Sequence, residues 1–145
     1  MISIESKTAV TNGLCSKDVN EALEQAGYPI YDENPCYRTV YTPYSEHDWR
    51  EVVPHADAMR WLRNVKHISI DVVTCYEEVV NQPGNRTVSD EVTGYSYIVH
   101  ETDYQCLGDD QRCVTHLIQH DEKSVYETFE EACEEALKWV LTNLI

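Results

Sequence analysis

The most regular pattern of apolar and polar positions in the chain lies at its end. Phe129, Ala132, Cys133, Ala136, Leu137, Val140, Leu141 and Leu144 recur at steps of three and one, which predicts one wide apolar stripe on an α-helix over Thr128 to Ile145. Thr128 and Glu131 have the spacing of a capping box. Glu130, Glu131, Glu134 and Glu135 crowd the positive end of the helix, and Glu134 precedes Lys138 by four residues, the favourable order for an ion pair. Such pairs contribute tenths of a kcal/mol, whereas each buried leucine of the stripe contributes roughly 1.5–3 kcal/mol, so the stripe decides where the helix docks.

Two shorter helices follow from the same rule. Ser16 has the chemistry of a cap for a helix carrying Val19, Ala22, Leu23 and Ala26, stopped by Gly27-Tyr28-Pro29. Pro54 opens another, with Ala58, Met59, Leu62 and Val65 as the expected buried stripe and Trp61 near its edge. Beyond it, Ile68, Ile70 and Val72 alternate with Ser69 and Asp71, a strand with one wet face running to about Glu78. Further strands are expected at Gly94 to Glu101 and Cys113 to His120. Turns are expected at residues 81–85, 108–110 and 121–124, with Val125-Tyr126 leading into the final helix.

Two stretches lack a period. Residues 1–15 read as a loose arm or an extra strand. Residues 28–53 hold Pro29, Pro35 and Pro43 among scattered tyrosines and Trp49, which fits an irregular aromatic-rich loop or a pair of short edge strands, Arg38 to Thr42 being one of them. The expectation is an α+β fold of one domain over 1–145: an arm (1–15), a helix (16–27), the irregular segment (28–53) and a helix-strands-helix core (54–145). In it an antiparallel meander of at least three strands packs against an N-terminal-side helix and the long C-terminal helix.

Charge changes the picture of partners. The 145 residues carry a formal charge of −15, with net −8 from Glu101 onward and −7 before it. That balance disfavours nucleic acid or an anionic membrane as a partner of the surface as a whole, and the acidic excess itself has two readings, solubility or a surface presented to a basic protein. Met1 to Val10 contains Glu5 and Lys7 and has no apolar core, so it does not read as an export signal. Six cysteines are then expected as free thiols in a cytoplasmic protein of a bacterial host.

Candidate chemistry is sparse. Cys106, Cys113, His116 and His120, spaced C-x6-C-x2-H-x3-H, have ligand types that suit zinc. On a strand, however, His116 and His120 share a face about 13 Å apart, too far for one ion, so no metal and no cofactor are expected. No nucleophile elbow, phosphate-cradling glycine loop or HExxH motif is present, and the chain is expected not to be an enzyme. Arg60, Arg63 and His67 fall on one helical face and form the concentrated basic site of an acidic chain. That face has two readings, pairing with the protein's own carboxylates or docking a phosphate or acidic segment of another molecule.

Pro54, Ala58, Met59, Trp61-Leu62-Arg63, Val65 and His67-Ile68-Ser69-Ile70 resemble a pattern of small uncharacterised proteins of bacteriophages and mobile elements in gut bacteria. Lys17-Asp18-Val19 to Ala26-Gly27-Tyr28 resembles their opening helix, and Tyr126 to Ala132 with Ala136-Leu137 and Leu144-Ile145 resembles their close. The chain departs from that pattern at His55-Ala56-Asp57, Asn64 and Lys66. The resemblance implies an origin and an architecture, not a site. Tyr95 to Leu137 is also similar to HicB-type antitoxins, acidic partners of small basic toxins. The helix, three strands and helix follow the order of the double-stranded-RNA-binding domain, but Glu130, Glu131, Glu134 and Glu135 stand where that domain needs lysines. The function expected is a non-catalytic interaction protein, possible occupants being a basic host or defence protein or, as the alternative, a small basic toxin. A small-ligand binder or enzyme using residues 28–49 and the Arg60/Arg63 face is the reading from a different class.

Overall fold

The computed structural model describes residues 4–31, 36–80, 88–107, 110–120 and 125–145. Its order is α1 (Ile4–Thr11), α2 (Lys17–Ala26), β1 (Val40–Ser45), β2 (Asp48–Val52), α3 (His55–Trp61), a π-helical turn (Leu62–Lys66), β3 (Ile68–Val80), β4 (Val88–Leu107), β5 (Asp110–His120) and α4 (Phe129–Asn143). The fold is α+β. β3, β4 and β5 form an antiparallel meander in that order, and β1 pairs with β2 in a separate two-stranded sheet.

β4 is 20 residues long, and its two neighbours share little of it: β3 pairs with Val88 to Glu101, β5 with Ile98 to Leu107. Where β5 ends, the chain returns to β4. Tyr126 exchanges backbone hydrogen bonds with Tyr95 at 2.8 and 2.9 Å, which extends the same edge and aims the chain into α4. That approach requires Gly94, with φ +157°: a Cβ there would overlap Val125 Cγ1 and lie 2.7 Å from the Tyr126 carbonyl oxygen.

The dry face of the sheet presents Ile68, Ile70, Tyr97 and Val99, all buried, and α4 covers it with Ala136, Leu137 and Val140. Leu23 of α2 and Leu62 of the π turn complete this core, each fully buried. The caps act as the side chains require. Ser16 Oγ accepts from the Val19 amide at 3.3 Å, Thr128 Oγ1 accepts from the Glu131 amide at 3.1 Å, and Gly27 ends α2 with φ 106°.

Several expectations change. Residues 4–11 are a helix rather than an arm or strand, packed on α4 and β1 with Ala9 and Val10 buried. The 28–53 segment contains a pair of short strands, one of its two expected forms, the first at Val40–Ser45 rather than Arg38 to Thr42, and Asn20 fixes this hairpin to α2 by donating to the Glu51 carbonyl and accepting from the Val53 amide at 2.8 Å. Trp61, expected near the edge of the stripe, is buried at the end of α3, and Val65, expected within the stripe, is exposed, because the π turn from Leu62 changes the angular step between residues. Phe129 and Leu144, the ends of the α4 stripe, are exposed. The third strand begins at Asp110, three residues before its expected start, and the remainder of the expected turns, at 81–85, 108–109 and 121–124, lies outside the described residues.

Candidate functional site: a helix junction between two grooves

Two backbone segments bring the starts of α2 and α3 together. The Cys15 amide donates to the Val53 carbonyl at 2.9 Å and the His55 amide to the Gly13 carbonyl at 2.8 Å, an antiparallel bridge centred on Leu14 and Pro54. Below this bridge lies Glu134 of α4, 1% exposed. Its Oε1 accepts from the Ser16 amide at 2.8 Å, across 118 residues of sequence. A carboxylate so placed meets the positive end of α2. The Glu134–Lys138 ion pair expected from the spacing does not form: Glu134 points into the junction and Lys138 is exposed.

His55 is the other buried polar member, 4% exposed. Its Nε2 lies 3.5 Å from Glu134 Oε1, within reach of charge attraction but not placed as a hydrogen bond. Among the described residues neither ring nitrogen has a hydrogen-bond partner, and neither does Glu134 Oε2. Buried polar atoms are rarely left so, and three of them in one junction single it out.

Cys15 and Cys133 border the same place. Burial pushes the Cys15 thiol well up, with further contributions from Glu134 and then Cys133. Burial likewise pushes the Cys133 thiol up to about 12, helped by Glu130 and Glu134. Both thiols therefore stay protonated at neutral pH, which is the opposite of nucleophile activation. Tyr44 closes the junction by donating to the Cys15 carbonyl at 2.8 Å.

A cleft of about 450 Å³ opens on one side of α4. His55, Ala56, Met59, Arg60 and Arg63 form one wall, Ser69, Ile70 and Asp71 of β3 another, and Phe129, Glu130 and Cys133 of α4 a third. Arg60 and Arg63 thus come together as the spacing predicts, but they differ. Arg60 Nη2 is 3.5 Å from Asp57 Oδ1 and its guanidinium lies over the Tyr37 ring at 5.2 Å, while Asp57 Oδ2 also meets Arg38 Nη2 at 3.6 Å. Arg63 is exposed and has no ion pair among the described residues. His67 leaves the expected face. It caps the π turn in a left-handed conformation with φ 58°, so helical spacing no longer relates it to Arg60.

A second groove, of about 560 Å³, runs between α1 and α4 on the other side. Val10, Val125 and Tyr126 supply its apolar lining, Glu127, Glu131 and Glu135 its carboxylates, and Lys7 a single cation. The glutamates of α4, expected to crowd the start of the helix where a basic partner could meet them, are therefore divided: Glu130 to the cleft, Glu134 to the interior, Glu131 and Glu135 to the groove.

The aromatic segment is divided too. Tyr28 packs edge-on against Tyr37 and Trp61, with centroids 5.9 and 5.6 Å away, whereas Tyr31, Tyr41 and Trp49 are exposed around a shallow depression of about 350 Å³. Tyr37 links this segment to the Arg60 face.

For the zinc-like set, β5 carries a register shift opposite Val99 and His100. His116 pairs with Glu101 and His120 with Ile98, positions three apart on β4, so the even alternation that placed both histidines on one face is broken. The side chains of Cys106, Cys113 and His120 lie outside the described residues. Among the described residues no group of three or more His, Cys, Asp or Glu side chains could hold a metal ion.

No protein-family model, curated protein or solved structure matches the chain. Among the described residues no helix is long and apolar enough to cross a membrane.

His55 and Cys133, though named in the sequence patterns, were not among the candidate site residues. A faint signal for Glu134 exists: it precedes Leu137 and Leu141 by three and seven residues, which puts it on the apolar stripe rather than beside it.

Proposed function

We propose a non-catalytic interaction protein of phage or mobile-element origin, acting in the bacterial cytoplasm, that binds or blocks a basic host or defence protein. The observation that carries this reading is the groove between α1 and α4, where an apolar floor of Val10, Val125 and Tyr126 is flanked by Glu127, Glu131 and Glu135. An amphipathic basic segment matches both: apolar side chains on the floor, lysines or arginines on the carboxylates. The formal charge of −15 adds long-range attraction for the same partner. The inert thiols at the junction favour the non-catalytic form of the reading. The phage or mobile-element origin has the resemblance of Pro54 to Ile70 and of the two helices as its support.

The test is capture of host proteins on the immobilised chain in low and raised salt, beside a Glu131→Lys, Glu135→Lys variant. The expected outcome is a basic protein retained by the wild type, released as salt rises and missing from the variant. Retention of the same proteins by the variant would overturn the reading. An antitoxin-like partner of a small basic toxin is the same reading with a different occupant, and a captured toxin of the neighbouring gene would select it.

A further inference from the structure

The groove between α1 and α4 constrains the form of its occupant as well as its charge. Its walls are two helices, whose backbone groups are bonded within each helix. The extended backbone at its floor is already engaged: the Tyr126 amide donates to the Tyr95 carbonyl, and the Tyr126 carbonyl accepts from the Tyr95 amide. A strand laid here would find no run of backbone to pair with among the described residues and would bury its own amides and carbonyls unpaired. A helix bonds its backbone internally and brings only side chains.

The side chains on the two walls repeat at a helical step. Glu131 and Glu135 follow each other by one turn of α4, about 6 Å along its axis, and Lys7 and Thr11 by one turn of α1. Glu131 and Glu135 are each half-buried, and neither forms an ion pair among the described residues. Partial burial costs a carboxylate part of its hydration, a deficit that a cation brought by a partner offsets. Lys7, exposed and also without an ion pair among the described residues, sets the opposite preference on the other wall. Between the walls Val125, 52% exposed, and Tyr126 offer apolar surface to be covered.

We propose that the groove receives one amphipathic helix of a basic partner. Two lysines or arginines four residues apart meet Glu131 and Glu135, an acidic side chain on the opposite flank meets Lys7, and an apolar stripe between them covers Val125 and Tyr126. Equal steps on the two helices match when the partner lies along α4 rather than across it. The inference rests on the basic-partner reading and adds to it the form and charge pattern of the bound segment.

The probe is a library of stapled peptides of about 16 residues, held helical because isolated helices of that length are marginal. The two lysines and one glutamate are fixed, and the stripe varies among leucine, isoleucine, valine, phenylalanine and methionine. Fluorescence anisotropy of the labelled peptides reads binding, and the amide resonances of Val125 and Tyr126 locate it. The best members are expected to bind saturably, and roughly tenfold more weakly once the lysines move to the solvent face at unchanged composition, the worth of two partly exposed ion pairs. A central proline, which breaks the helix, is expected to abolish binding. Glu131→Lys, Glu135→Lys is expected to lose the lysine peptides and to gain those with glutamates in their place, a gain that also shows the variant to be folded. No saturable binding by any member, undiminished binding of the proline peptides, indifference to where the lysines stand, or unmoved Val125 and Tyr126 resonances would overturn the proposal. A host protein still captured through Glu131 and Glu135 while no helical peptide binds would leave the basic-partner reading standing and remove this one.

Discussion

Glu131 and Glu134 stand three residues apart on one helix, in a run of acids that reads as a single face, yet they belong to different regions of the molecule. Glu131 borders an open groove, where its charge is solvated and its amide is satisfied locally by Thr128. Glu134 is sealed beneath the paired starts of α2 and α3, accepting from Ser16 and facing a histidine with no hydrogen-bond partner among the described residues. A solvated carboxylate is replaceable in stability and useful only to a partner. A buried one is structural, because removing it strands the groups arranged around it.

The largest separation of the two regions is expected from alanine substitutions. Glu134→Ala leaves the Ser16 amide buried without its acceptor and removes the carboxylate beside His55, and is expected to cost about 3–5 kcal/mol, as for breaking a buried pair. Glu131→Ala is expected to stay within about 0.5 kcal/mol, as at ordinary surface positions. Urea denaturation midpoints compare them directly, and equal effects would erase the distinction.

Next in size is Leu137→Ala, three residues on from Glu134 and fully buried against the sheet, with an expected cost of about 2–5 kcal/mol. A midpoint unchanged by that substitution would mean that α4 does not cover β3 and β4. Ser16→Ala removes the hydroxyl cap of α2 but keeps the amide that Glu134 holds, so only about 1 kcal/mol should be lost.

The smallest effect is a pH dependence at the exposed end of the hairpin. Hydrogen bonds from Arg50 and then Lys17 hold the Asp48 carboxyl at about 2, below its ordinary 3.8. A carboxyl lowered on folding stabilises the native state above its unfolded value, and that contribution is lost as pH falls from about 3.8 through about 2. Carbon NMR should place the Asp48 midpoint near 2 in the wild type and closer to 3.8 in Arg50→Gln. A midpoint near 3.8 in both would remove the hairpin ion pairs from the account.

What was legible in the sequence was local. The caps at Ser16 and Thr128, the stop at Gly27 and the alternation of Ile68, Ile70 and Val72 are written within a few residues of the structure they make, and α2, α4 and the meander follow from them. Helix α1 escaped because Ile4 to Thr11 has no amphipathic pattern of its own and is held by packing on α4 and β1. The π turn moved Val65 and His67 from their expected positions, since a change of helical step leaves no mark in a periodicity count. Of the candidate sites, Arg60 and Arg63 were visible as a basic pair, but the pairing of Arg60 with Asp57 and Tyr37 depends on where residues 37–38 fold back. The junction itself rests on a hydrogen bond between residues 118 apart, which no local pattern announces.

That hydrogen bond is also the most direct point of attack. Amide hydrogen exchange at Ser16 should be as slow as at the core amides of α2, because its N–H is buried against Glu134, and it should accelerate selectively in Glu134→Ala while Glu131→Ala leaves it unchanged. Rapid exchange at Ser16 in the wild-type protein, at the rate of an exposed amide, would contradict the buried carboxylate and with it the division of α4 into a structural and a partner-facing side.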